Sequence, residues 1–305
     1  MRVLYVARSK NGKYAPFITE QVNAICKEGV ETRVYGISRG GINGYLHNLI
    51  EINRVIDSFR PDLIHAHYGL CGVISNLQRK IPVITTYHGS DINDPKILPY
   101  SKWSIRKSAF NIFVSQKNID IARPKGHYEL IPCGIDLQEY PLVEKFEARK
   151  ELGLDNNDKY VLFGSAFDNE VKNAPLAKES MSLLSRVNLL EMKGYTRSQV
   201  SLLMQAVDSL LLTSFTEGSP QVVKEAMACG CPIVSVDVGD VKEQIDGVEG
   251  CYIADRKPES IATCLRKAIY YNKRTPGRDV IIEKGLTNDT IASRIISIYS
   301  MLIHS

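Results

Sequence analysis

The chain has 305 residues, 38 Lys and Arg against 34 Asp and Glu, a formal charge of +4, and 44% hydrophobic and 24% charged residues. Those fractions describe a globular domain protein and exclude a disordered, collagen-like or disulfide-stapled one. At roughly 100 to 200 residues per domain the length predicts two domains, with one large α/β barrel as the other fit.

Residues 2–7 read as a strand, and no apolar run approaches the roughly 18 residues of a spanning helix, which predicts a cytoplasmic protein. Further short β-rich runs fall at 32–36, 63–66, 83–87, 111–115 and 129–131, with amphipathic helices between them. Ile18, Val22, Ile25 and Cys26 make one apolar helical stripe, and Leu46, Leu49, Ile50 and Ile56 another. The alternation pauses at Pro132-Cys133-Gly134-Ile135-Asp136 and restarts at Tyr160, which predicts a domain boundary. The second half then gives strands near 160–164, 187–191, 208–213, 232–236 and 251–254. Helices follow at about 175–185, 196–206, 220–229 and 258–272, with a last one at 288–303. Alternating strands and helices predict two doubly wound parallel sheets, whose ligands sit on the loops after the strands, in the cleft between the halves.

The seven cysteines stand at 26, 71, 133, 229, 231, 251 and 264 among apolar neighbours, which predicts buried free thiols rather than disulfides or zinc ligands. His65 and His67 share one face of a strand end, the spacing of a metal pair or of an ordinary buried His pair. No third metal ligand accompanies them. No Asp-x-Asp, dinucleotide fingerprint or Walker P-loop is present, and a charge of +4 is too weak to argue for nucleic acid.

Residues 210–230 carry the strongest pattern. A strand leads through a polar turn into a helix, with Ser219 a candidate N-cap, Pro220 suited to the first helical position and Gly230 to the left-handed C′ position. The first turn offers backbone N–H groups and a partial positive charge to a diphosphate. Glu217 precedes the turn, and Glu225 leans back toward the same end. Carboxylates repel phosphate, so both suit sugar hydroxyls better.

Glu217-Gly218-Ser219-Pro220 followed by Lys224-Glu225-Ala226-Met227-Ala228-Cys229-Gly230 resembles the Glu-x7-Glu region of the family 4 retaining glycosyltransferases. Pro16-Phe17-Ile18, Asp62 to His67, Thr86 to Asp91, Ile131 to Asp136 and Val238-Gly239-Asp240 extend the resemblance over nearly the whole chain. It implies the α/β GT-B fold: two Rossmann-like parallel-sheet domains facing across a cleft. The first would be an acceptor-side domain at 1–135 with helix 288–305 packing back on it. The second would be a nucleotide-sugar domain at 136–287, shortened to a narrower sheet by one strand-helix unit missing between Lys172 and Glu217.

By the same resemblance Glu217, His88 and Lys172 are the catalytic candidates. Glu225 would hold the ribose, the backbone of Gly218, Ser219, Pro220, Gln221 and Val222 would line sugar and phosphates, and Asp91 would stand behind His88. Gly12 would approach the diphosphate, although Asn11-Gly12-Lys13 replaces the family's usual Gly pair. The family's Arg after the first strand of the second domain is absent, as that strand runs into Gly164-Ser165-Ala166-Phe167. Arg8 is a candidate replacement, an acceptor contact or a solvated charge.

The implied activity is metal-independent, retaining transfer of a sugar from a nucleotide diphosphate sugar to a hydroxyl of a glycan or lipid-linked acceptor. It would serve surface or capsular polysaccharide synthesis, with no cofactor and with peripheral association at the inner membrane face. The alternatives are a sugar-nucleotide epimerase or hydrolase of the same fold, or a degenerate glycan-binding subunit.

Overall fold

The computed structural model describes residues 1–38 and 41–304, with side chains from residue 47 onward in the helix Gly41–Phe59. The chain divides into two compact units, Met1–Gly134 with Asn288–Ser305, and Ile135–Thr287. Ile135, expected with the first unit, belongs to the second. Its amide donates to the Leu286 carbonyl at 3.0 Å, it bridges Thr287, and its side chain lies in the second unit's core.

The first unit holds a six-stranded sheet of β1 (Arg2–Arg8), β2 (Glu31–Ile37), β3 (Leu63–His67), β4 (Val83–Tyr87), β5 (Phe110–Phe113) and β6 (Tyr128–Leu130), in the order β2-β1-β3-β4-β5-β6. Every pairing is parallel. Alternation along β1 separates two cores: Val3, Tyr5 and Ala7 pack with the helices Pro16–Lys27 and Asn288–His304, and Leu4 and Val6 with Ile52, Ile56 and Phe59 of Gly41–Phe59. A strand buried on both faces must be apolar throughout, which is why residues 3–7 read as a continuous run.

Two expected stripes are shifted. Cys26 is exposed while Ile18, Val22 and Ile25 are buried. Ile50 is 55% exposed, because Gly41–Phe59 buries the face carrying Ile52, Ile56 and Phe59. Leu46 lies outside the described side chains.

The second unit holds β7 (Lys159–Phe163), β8 (Val187–Glu191), β9 (Ser209–Leu212), β10 (Ile233–Val236) and β11 (Tyr252–Ala254) in the order β11-β10-β9-β7-β8. This sheet is also parallel and has five strands, one fewer than the first. Its order reverses between β7 and β9. In the first unit the reversal falls between β1 and β3. At such points the loops after adjacent strands diverge to opposite faces and leave a crevice, which locates the candidate site in each unit.

Candidate functional site

In the second unit the loops after β7 and β9 flank the reversal point. Thr213 Oγ1 donates to the carbonyls of Lys172 and Asn173, each at 2.9 Å, and the Phe215 amide to the Val171 carbonyl at 2.9 Å. Those bonds fix one loop on the other and set Lys172 Nζ 2.5 Å from Glu217 Oε1, with 22% and 13% of the two side chains exposed. Two candidates 45 residues apart in sequence thus meet at the carboxyl ends of neighbouring strands.

The helix after β9 runs Gln221–Ala228. Its N-cap is Pro220, not Ser219, because Pro220 keeps an extended ψ of 116°. No side chain caps the first turn. The Ser219 hydroxyl instead accepts from Lys224 Nζ at 2.8 Å and from Gln244 Nε2 at 3.3 Å. Gly230 takes the left-handed conformation (φ 65°) as expected; its amide and that of Cys231 return to the Met227 and Ala226 carbonyls, closing the helix.

Glu225 is half-buried in this helix beside the Tyr140 hydroxyl. Arg197 Nη2 donates to the same hydroxyl at 3.2 Å. Burial first, then the Glu225 charge, raises the Tyr140 pKa. Neither Tyr140 nor Arg197 carries a sequence signal that ties it to Glu225.

Behind the Glu217 loop, the Asp240 amide donates to the Gly218 carbonyl at 3.2 Å. Gly239 has φ 56°, and a Cβ there would come within 2.5 Å of that same carbonyl oxygen. Lys224 is wholly buried, with Nζ also 3.0 Å from Gln221 Oε1. Gln244 Nε2 donates to Asp240 Oδ1 at 2.5 Å. Burial raises the Asp240 pKa, against the opposing pull of the Lys224 charge and of hydrogen bonds from Ser219 and Gln244. Sequence reasoning left Lys224 unassigned, because a lysine in a helix is normally solvated.

In the first unit His88 follows β4, and its ring packs against Phe17 and Tyr68, each with centroids 4.8 Å away. Its Nε2 is 2.9 Å from His67 Nδ1, and its Nδ1 is 3.6 Å from Cys133 Sγ. Asp91 is buried behind this loop. Its Oδ1 accepts from the amides of His88 (3.0 Å) and Gly89 (3.1 Å), and its Oδ2 from Gly69 (2.8 Å). Burial nevertheless raises its pKa from 3.8 to about 6. Asp91 therefore clamps the backbone that carries His88.

Asn11 and Gly12, at φ 52° and 74°, form the tip of a tight turn closed by Lys10 and Lys13, whose amides and carbonyls exchange two 3.0 Å bonds. Arg8 is exposed at the end of β1, with its charge acting on Tyr68 and Cys71. His65 and His67 are both fully buried and bonded to other side chains. Among the described residues no three His, Cys, Asp or Glu side chains gather as a metal cradle, and no helix is long and apolar enough to cross a membrane. All seven cysteines are free. Four are buried, Cys251 and Cys264 are half-buried, and Cys26 is exposed, against the expectation of burial throughout.

Residues 13–139 match the family model described as Glycosyltransferase Family 4, and residues 142–270 the one described as Glycosyl transferases group 1. A Bacillus subtilis protein named as a teichuronic acid biosynthesis glycosyltransferase is 27% identical over 241 residues, covering 68% of this chain. The match spans only 61% of that relative's length. Sucrose-phosphate synthase from Thermosynechococcus elongatus superposes with a TM-score of 0.84 at 15% identity, covering 99% of both chains. The Anabaena protein HepE in complex with UDP-glucose gives 0.78 at 17% identity, over 99% of this chain and 100% of its own. These likenesses establish the GT-B fold.

Proposed function

We propose that this chain, which belongs to the family 4, group 1 glycosyltransferases, is a retaining enzyme that moves a sugar from a nucleotide diphosphate sugar to a hydroxyl acceptor. The observation that carries the reading is the Lys172–Glu217 pair at the β7/β9 reversal point, in front of a helix whose first turn no side chain caps. Cleavage of the bond between sugar and diphosphate builds negative charge on the leaving group. Lys172 and the N–H groups of the Gln221–Ala228 helix stabilise that charge. As Lys172 turns to phosphate, Glu217 is released to accept hydrogen bonds from hydroxyls of the transferred sugar. Glu225 accepts from the ribose hydroxyls, and His88 contacts the sugar. The acceptor hydroxyl attacks the face the diphosphate leaves and gives its proton to the departing phosphate, so no protein base is assigned.

The acceptor class we favour is a glycan or lipid-linked glycan of surface polysaccharide synthesis, in keeping with the name of the Bacillus relative. Such an acceptor would have the protein work in the cytoplasm, peripherally associated with the inner membrane face where lipid-linked chains are built. The donor-bound HepE structure supports a uridine nucleotide as the first donor to try.

A thermal-shift screen of nucleotide sugars identifies the donor, since ligand at 100 times its dissociation constant adds about 2.7 kcal/mol of stability. With that donor, Lys172→Ala is expected to lower transfer by about 10² to 10³, and Glu225→Ala to weaken nucleotide binding. Unchanged activity in both variants would overturn the site. Free nucleotide released with no acceptor product points to the hydrolase or epimerase alternative, and no binding across the screen points to the glycan-binding subunit. Transfer is expected to survive a chelator.

A further inference from the structure

Tyr5, His65, His67 and His88 of the first unit lie ring on ring, with centroids 5.2 Å apart from Tyr5 to His65, 4.7 Å from His65 to His67 and 5.2 Å from His67 to His88. His65 is satisfied on both nitrogens, by the Tyr299 hydroxyl at 2.5 Å and Thr86 Oγ1 at 2.7 Å. His67 is not. Its Nδ1 lies 2.9 Å from His88 Nε2, while its buried Nε2 meets no hydrogen-bond partner among the described residues.

Burial keeps both rings of that pair neutral, pushing His67 down to about 3 and His88 well below its usual range. A single hydrogen therefore lies between them, and its owner decides the tautomer of each ring. If His88 were the donor, the hydrogen of His67 would sit on Nε2 as a buried N–H with no acceptor. If His67 is the donor, its Nε2 carries only a lone pair. Among backbone groups, buried orphaned N–H donors are rarer than under-satisfied acceptors, and the same preference decides here.

We infer that His67 is a positioning residue: it donates Nδ1–H to His88 Nε2 and thereby holds His88 as the Nδ1–H tautomer, a hydrogen-bond donor for a sugar oxygen. The partner of that N–H in the structure is Cys133 Sγ at 3.6 Å, a weak acceptor that an oxygen displaces easily. The inference rests on the reading of His88 as a sugar contact, but its central claim is tested without any ligand.

The test is ¹⁵N nuclear magnetic resonance of the histidine side chains in the whole chain. His88 is expected to show a protonated Nδ1 and a bare Nε2. A protonated Nε2 overturns the inference. Two variants extend the test: His67→Asn, whose amide can place an N–H where Nδ1 stood, and His67→Leu, which cannot. His67→Leu is expected to move His88 toward the Nε2–H tautomer and to reduce by about tenfold the gain in affinity from UDP to UDP-glucose. UDP binding itself should be unchanged, and His67→Asn should restore the tautomer. If His88 keeps Nδ1–H in His67→Leu, His67 does not set it and the inference fails. If the tautomer moves while the affinity gain does not, the tautomer assignment stands and the sugar-contact reading of His88 fails.

Discussion

Lys224 has no exposed surface, yet its ammonium is held by Ser219 Oγ and Gln221 Oε1, with the Asp240 charge near enough to feel it. A buried charge with partial compensation costs more to orphan than to keep. Lys224→Met, which preserves length and removes the ammonium, is expected to destabilise the second unit by roughly 2 to 4 kcal/mol in urea unfolding. Adding Asp240→Asn should recover part of the loss, and strictly additive effects would show that the two groups do not interact. Asp91 gives a pH signature in the first unit. Its folded pKa of about 6 lies above the ordinary 3.8, so folding favours the protonated form. The stability it contributes is complete below about pH 4 and is lost as pH rises through 6, about 3 kcal/mol in all. The unfolding free energy of the wild type minus that of Asp91→Asn should fall by that amount between pH 4 and 7, and a flat difference would show that burial does not govern this carboxyl.

At the scale of elements, what the sequence made legible follows from what each element buries. The strands at 83–87 and 187–191 are legible to the residue, the first because its apolar, β-branched run ends where its buried positions end, whereas the second is an edge strand with no fully buried position. The helices Gly69–Asn76 and Leu98–Lys107 gave no stripe. Their contact is made by Gly69 and Gly72 against the buried hydroxyls of Ser101 and Ser104, small residues invisible to hydrophobic periodicity. Glu217 and Glu225 were legible because a strand, a turn and a helix frame them. The Lys172–Glu217 contact depends on strand order, which no local pattern encodes. Gly239 holds that loop from behind. Gly239→Ala would force a side chain onto φ 56°, about 1 to 2 kcal/mol by itself, and push against the Gly218 carbonyl and Glu217 Cβ. Weaker donor binding should accompany the lost stability, and a variant as stable as the wild type would show that the Gly218 loop can give way.

At the scale of the whole chain, each unit has a buried core of its own. Among the described residues the core of the second unit draws on residues between Ile135 and Leu286, whereas the final helix lends Ile291, Ile295, Ile298 and Tyr299 to the first. The chain thus leaves the first sheet after Gly134 and returns to it at Asn288, and the return is tied at one atom. The Tyr299 hydroxyl bonds Tyr5 of β1 at 2.7 Å and His65 of β3 at 2.5 Å, joining the last helix to both strands at the reversal point. The stripe of the last helix was readable from sequence, but this partnership was not, since 294 and 234 residues separate Tyr299 from Tyr5 and His65. Tyr299→Phe keeps the ring and removes the hydroxyl. The Tyr5 hydroxyl and His65 Nδ1 both lose this partner, worth about 1 to 3 kcal/mol in a buried site. Because Tyr299 belongs to the first unit's core, hydrogen exchange should quicken in β1 and β3 and stay unchanged in β7 and β9. Equal acceleration in both sheets would mean that the two units unfold as one.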